Sequence, residues 1–453
     1  MTTMETIYLI AFIILLYGLG AIVLNRKGYF KKYNISFYGP ALLFRTTKGI
    51  GFLKKISSPK RFWKSFGTFG IAFCFISMVL MVLLLVLNTW TVIGFTPEQQ
   101  QQLPGIEFGL VIPGLNPILP LEYLAYVLIG LIIAVIVHEF SHGILTFAHN
   151  LKVKSLGMLY LILPLGAFCE PDEEQLRDTK TSNRMRVYAA GPMSNFTVAF
   201  VVLFLFSAVF MTSVQPIEGV HVLYTVPESP AENISLSTGM VITEVNHTSV
   251  TDVSGFLQIM QNTTAHQTIP LSYYTNGNLV QTNVTLADQY SFTNNVSDSN
   301  KSFLGIGFNL YVNGFNQALK RPLTYAFPEG LILLYSLPFF SYLAGYNPLV
   351  APFTQGYTIT GPLSVIPSTV FWPLVNMLYW IFWLNLVVAL FNVLPMIPLD
   401  GGFLFSDGLR SIVQKIKKNI TEDQRERIVK NITFTISLII LFIVLFPWLI
   451  KYF

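Results

Sequence analysis

Six stretches of this 453-residue chain, at about 6–24, 67–93, 121–147, 187–214, 371–394 and 432–450, are almost wholly apolar. Each comes near the roughly 20 residues a helix needs to cross a bilayer. A backbone in lipid must satisfy its own hydrogen bonds, so runs of this length restrict the chain to a bundle of spanning helices. Only 11% of the residues are charged, where a soluble domain carries about a quarter. The expected fold is therefore a polytopic α-helical membrane protein of about six spans. The first run lacks a basic start and a small-residue cleavage site, so it reads as a retained anchor. The stretch 323–345 is apolar but broken by Pro328 and Pro338, which suits an interfacial or re-entrant segment. Cys74 and Cys169 lie in or beside apolar runs and offer no disulfide framework.

Lys and Arg in short loops mark the cytoplasmic side. The segment 26–65 carries eleven of them, from Arg26 and Lys27 to Arg61 and Lys64, and no acidic residue. Segment 151–186 adds Lys152, Lys154, Arg177, Lys180, Arg184 and Arg186; segment 401–430 adds Arg410, Lys415, Lys417, Lys418, Arg425, Arg427 and Lys430. Loop 94–120 has Glu98 and Glu107 and no base. Six spans with both termini outside satisfy every loop. Three regions follow: an N-terminal membrane region 1–214, a polar insert 215–320 facing outside, and a C-terminal membrane region 321–453. The insert alternates like strands at Gly219–Val226 and Leu279–Ala287, turns at Asn276-Gly277, and has helical spacing over Asp252–Asn262. Its N-x-S/T sites at Asn233, Asn246, Asn262, Asn283, Asn295 and Asn300 suit an external surface.

The third run ends in His138-Glu139-Phe140-Ser141-His142. On a helix, positions i and i+4 share a face, so both imidazoles can hold one zinc ion with Glu139 beside it as general base. Ionisable residues in a span are costly and mark function. Hydrolysis needs a third protein ligand and an open fourth position. His149 is two turns from the pair, and His221, His247 and His266 fall in the insert, so a carboxylate at matching depth is required. Asp400 meets that requirement. It ends the fifth span in Asn392-Val393-Leu394-Pro395-Met396-Ile397-Pro398-Leu399-Asp400-Gly401-Gly402, and by the charge bias that span finishes on the same side as the histidines. Its prolines and glycines mark irregular backbone, tolerated in a membrane only where buried in protein or lining a cavity.

These residues resemble the site-2 protease family of intramembrane zinc metalloproteases, which pairs HExxH in one span with an Asp in an LDG-type motif in a later one, here Leu399-Asp400-Gly401. Segment Lys154–Glu170 is similar to the family's re-entrant β-hairpin, and Ala190-Gly191-Pro192-Met193-Ser194-Asn195 to its small-residue segment beside the metal. Thr360-Gly361-Pro362-Leu363 and the basic 26–65 loop are similar to segments of the family, the loop to archaeal-type members. The insert resembles a PDZ domain in Ser229-Pro230-Ala231-Glu232 and in Gly239–Asn246, with Met240 in place of the usual Asp and His247 in place of the usual Gly. The resemblance implies one zinc ion per chain on His138, His142 and Asp400, with Glu139 activating water and Asn195 and Asn392 donating to the oxyanion or to substrate backbone. Expected partners are the lipid bilayer and single-span membrane proteins, not nucleic acid. The expected location is the cell membrane, active site toward the cytoplasm. A metal transporter would have no need of Glu139, and a catalytically silent scaffold would be expected to have lost Glu139 or a ligand.

Overall fold

The computed structural model describes residues 3–109, 114–161, 163–417 and 419–452. Lys418, Ile162 and positions 110–113 of the acidic loop lie outside the described residues. Among the described residues, five helices are long and apolar enough to cross a membrane: Lys60–Ile93, Leu121–Ala148, Thr181–Ser213, Ser368–Asn392 and Glu422–Tyr452. The first apolar run forms the helix Thr3–Arg26, whose described apolar part is Leu15–Arg26. The stretch broken by prolines forms the helix Glu329–Ala344, with Pro338 inside it. Its 16 residues reach about 24 Å, short of a bilayer's hydrocarbon core.

By internal contacts the described residues form two compact units, one from Met1–Leu110, Val127–Phe200 and Ile381–Phe453, the other from Val111–Tyr126 and Val201–Trp380. In the first unit, Lys60–Ile93 turns Gly67, Gly70, Cys74 and Met78 inward and leaves Leu80, Leu83, Leu84 and Leu87 exposed. A Cβ on Gly67 would come within 2.9 Å of Arg186 Cβ, and one on Gly70 within 3.1 Å of Met193 Cβ. Small residues thus let the helices approach closely, as dispersion-driven packing in lipid requires. One apolar cluster joins Leu53, Leu145, Leu156, Leu176, Val187 and Ala190; another joins Cys74, Met78, Ala189, Phe196, Ala389 and Leu404.

Alongside these helices is a four-stranded antiparallel sheet in the order Ile35–Tyr38, Ala41–Thr46, Val153–Leu161, Leu163–Pro171. The hairpin expected over 154–170 is there, extended by a second hairpin from the segment read only as a basic loop. Leu42 pairs with Tyr160, Phe44 with Met158, and Leu156 with Cys169. Leu163–Pro171 is an edge strand.

A second departure concerns Asp400. The helix Ser368–Asn392 stops eight residues before it, and Asp400 instead opens a separate amphipathic helix, Asp400–Ile416. Pro395 and Pro398 explain the break, since proline removes an N–H donor and clashes with the preceding turn.

The second unit contains an antiparallel sheet ordered Asn278–Thr285, Thr268–Thr275, Val241–Val245, Val220–Thr225, Ile306–Phe308, with Thr248–Ser249 paired beside Val241–Val245. Asn276 and Gly277 turn the first hairpin with φ of 49° and 80°, the two positive values a tight hairpin needs. Helix Val253–Gln261, capped by Asp252, packs Phe256 and Met260 against Val222, Ile242 and Leu271.

Candidate metal centre

Helix Leu124–Ala148 presents His138 and His142 on one buried face, one turn apart. The loop after Asn392 brings Asp400 to them. Asp400 Oδ2 lies 2.9 Å from His138 Nε2 and 3.2 Å from His142 Nε2. Close backbone packing explains the two glycines that follow. A Cβ on Gly401 would collide with the Val393 and Leu394 carbonyl oxygens, and one on Gly402 would lie 2.6 Å from the Ile397 nitrogen. Asp400 occupies the first turn of its helix, where the macrodipole favours an anion.

The donor set fits a zinc ion. One ligand atom from each of the three side chains falls within 4.8 Å of the others, and tetrahedral bonds of about 2.0–2.2 Å place ligand atoms roughly 3.3–3.6 Å apart. Asp400 Oδ2 is buried and accepts no hydrogen bond. His142 Nδ1 lies 2.8 Å from the Val187 carbonyl oxygen, which can only accept, so the ring proton is on Nδ1. In the neutral ring Nε2 is then a bare lone pair facing a carboxylate oxygen, and two such atoms need positive charge between them. The opposite wall has the space for it. A Cβ on Gly191, in helix Thr181–Phe204, would stand 2.5 Å from both His138 Nε2 and His142 Nε2. Only glycine keeps that volume open.

Glu139 is half-buried, and its Oε2 accepts from the Cys169 backbone N–H at 2.8 Å, tying it to the edge strand Leu163–Pro171. Asn392 is half-buried and donates from Nδ2 to the Val388 carbonyl at 3.0 Å. His138, Glu139, His142, Asn392, Asp400 and Arg410 are among the residues lining one cavity of about 810 Å³. Asn195 is not on that wall. It is fully buried, with its amide 3.3 Å from His138 Nδ1. His149 is outside the cluster, as its spacing required; burial, with Arg186 and Lys64 nearby, pushes its pKa down to about 4. Sequence reasoning missed Gly191 as the gap for the ion, the Val187 carbonyl, and a buried ion pair between Arg184 and Asp407. The last had one signal, an Asp seven residues after Asp400 and so on nearly the same helix face.

The sequence profile of peptidase family M50 matches residues 126–287 and 340–443, which include the two histidines, Glu139 and Asp400. An uncharacterized protein of Methanocaldococcus jannaschii is 25% identical over 380 residues, covering 81% of this chain and 78% of that one. A Clostridium acetobutylicum protein named as a candidate zinc metalloprotease is 26% identical over 350 residues, covering 69% of this chain and 93% of its own. Among solved structures, the PDZ domain of an SdrC-like protein from Listeria monocytogenes aligns with 22% of this chain and 96% of its own, at 18% identity and a TM-score of 0.18.

Proposed function

Because the chain belongs to peptidase family M50, and is thus a multi-pass metalloprotease of the site-2 protease type, we propose that it is an intramembrane zinc enzyme cutting peptide bonds within or near the spans of single-span membrane proteins. One observation carries this reading: two helical histidines and a carboxylate from a remote segment converge within 4.8 Å, with a glutamate next in sequence to the first histidine.

A zinc ion on His138, His142 and Asp400 would supply the charge that acidifies water and polarises the scissile carbonyl. Glu139 takes the proton from the attacking water and returns it to the departing amine. The Cys169 N–H fixes the direction of its carboxylate. Asn392 spends one amide hydrogen on Val388 and has a second for the substrate backbone or the developing oxyanion. A helical substrate must unwind before cleavage. Leu163–Pro171 is the edge strand of its sheet, and the unwound segment can add beside it as a further strand. That strand would lie beside Glu139, because Cys169 belongs to the same edge.

The charge bias supports a centre that faces the cytoplasm of a cell membrane and a 215–320 insert, a PDZ-like domain by its sequence run, that lies outside. There it would screen substrates by size or by peptide end. In this reading 1–214 and 321–453 are the two membrane regions, and Lys154–Glu170 is the re-entrant hairpin.

Glu139→Gln tests the reading. In proteoliposomes containing a panel of single-span substrates, cleavage should fall by about 10²–10⁴-fold while zinc content stays at that of the wild type. Cleavage that persists in the variant would rule out the assigned chemistry. Metal flux that survives the substitution, with no cleavage in either protein, would make it a transporter.

A further inference from the structure

We infer that Asn195 is a positioning residue for the metal centre: its side-chain oxygen accepts from His138 Nδ1–H and holds the ring tautomer that leaves Nε2 open to the ion. The inference rests on reading the site as a zinc centre and extends it to the shell behind the ligands.

Helix Thr181–Phe204 meets the two histidines with one residue per turn. The Val187 carbonyl oxygen lies 2.8 Å from His142 Nδ1, Gly191 leaves the gap facing both Nε2 atoms, and the Asn195 amide, placed with Nδ2 toward the ring, lies 3.3 Å from His138 Nδ1. Positions 187, 191 and 195 are spaced by four, so they fall on one face. At His142 the chemistry is settled by a backbone carbonyl, which has no proton to give. At His138 it depends on which end of an amide faces the ring. Oxygen and nitrogen of that group are interchangeable in shape and must be assigned from their partners.

With Nδ2 toward the ring, His138 Nδ1 must accept, and the ring proton then occupies Nε2, 2.9 Å from Asp400 Oδ2 and in the place of the ion. With the amide turned, Oδ1 accepts from Nδ1–H, and both histidines present bare Nε2 atoms to the same point. Asn195 has no solvent exposure, so neither water nor substrate competes for the position. A role as an oxyanion donor would need its amide in the cavity, where Asn392 is and Asn195 is not.

The experiment uses the purified full-length protein in detergent, with three readouts: zinc affinity by chelator competition, the visible absorption of the cobalt(II)-loaded form, and melting of the metal-free form. Asn195→Leu removes the acceptor at similar volume and should weaken zinc binding by about 10–100-fold. Asn195→Asp restores an acceptor and should bind zinc within about threefold of wild type, with a cobalt spectrum of wild-type shape. If the leucine variant does not fold, Asn195→Ala is read in its place. The inference is overturned if the apolar variant binds zinc like wild type, or if the aspartate variant loses as much affinity as the apolar one. A wild type that holds no zinc, with His138→Ala making no difference, would instead overturn the zinc reading itself.

Discussion

At the scale of single residues, the centre depends as much on an absent side chain as on the ligands. A Cβ on Gly191 would stand 2.5 Å from Nε2 of His138 and of His142, close to where an ion bonded to both would lie. Gly191→Ala should therefore lower zinc occupancy to below a tenth of wild type, an effect of roughly 10-fold or more, as expected where ligand geometry is disturbed. Inductively coupled plasma analysis of the purified variant reads it directly, and near-stoichiometric zinc in the alanine protein would show that the ion lies elsewhere. The histidine pair was legible in the sequence because helical periodicity alone puts i and i+4 on one face. Asp400 was legible only through depth, from a charge bias that never used the motif. Gly191 was read through a family likeness as lying beside the metal, but its reason is a contact with a different helix, and no local pattern encodes that. Asn195 had the same limit. Its residue type suggested a donor to substrate, while its surroundings make it a partner of a histidine.

Between elements, the proposed third ligand, Asp400, must be held at a fixed depth against the helix that carries the two histidines. Asp400 is at the start of its helix, and Asp407, two turns on, grips Arg184 of helix Thr181–Phe204. Arg184 donates from Nε at 2.8 Å and from Nη2 at 2.6 Å to the two carboxylate oxygens, and from Nη1 to the Arg177 carbonyl at 2.8 Å. Both side chains are buried, at 6% and 7% exposure. Removing one partner of such a pair strands a buried charge, so Asp407→Asn should cost about 3–5 kcal/mol of stability. Arg184→Lys should not be tolerated as conservative, because the planar fork matches both oxygens at once. Unfolding titrations in mixed micelles check this, and a loss of under about 1 kcal/mol would mean the pair behaves as an exposed one. In the sequence Arg184 reads as one more base of the 151–186 segment. Charge counting cannot separate a solvated base from a clamped one. Nor could it find the hairpin Ile35–Tyr38 and Ala41–Thr46, whose ladder partner, Val153–Leu161, lies more than a hundred residues away. Sheet pairing at that range leaves its mark in side-chain packing rather than in local alternation.

For the molecule as a whole, the number of crossings decides which side the chain begins on, and the five long helices do not settle it. The helix Thr3–Arg26 has 24 residues, about 36 Å of rise against a hydrocarbon core of about 30 Å. Arg26 and Lys27 stand at its C-terminal end, where bases are retained on the cytoplasmic side. A helix of that length, anchored at that end, should cross, placing residue 3 outside while the basic segment 26–65 stays within. Cys74 and Cys169 are both buried, so single engineered thiols can be read against a shielded background. In sealed right-side-out vesicles, an impermeant maleimide should label Thr3→Cys and Ser235→Cys, and should reach Lys31→Cys and Lys415→Cys only after permeabilisation. Labelling of residue 3 from the inside alone would reduce the bundle to five crossings. It would leave the proposed side of the metal centre unchanged, because that proposal draws on the bases of 26–65, 151–186 and 401–430 without help from the first helix.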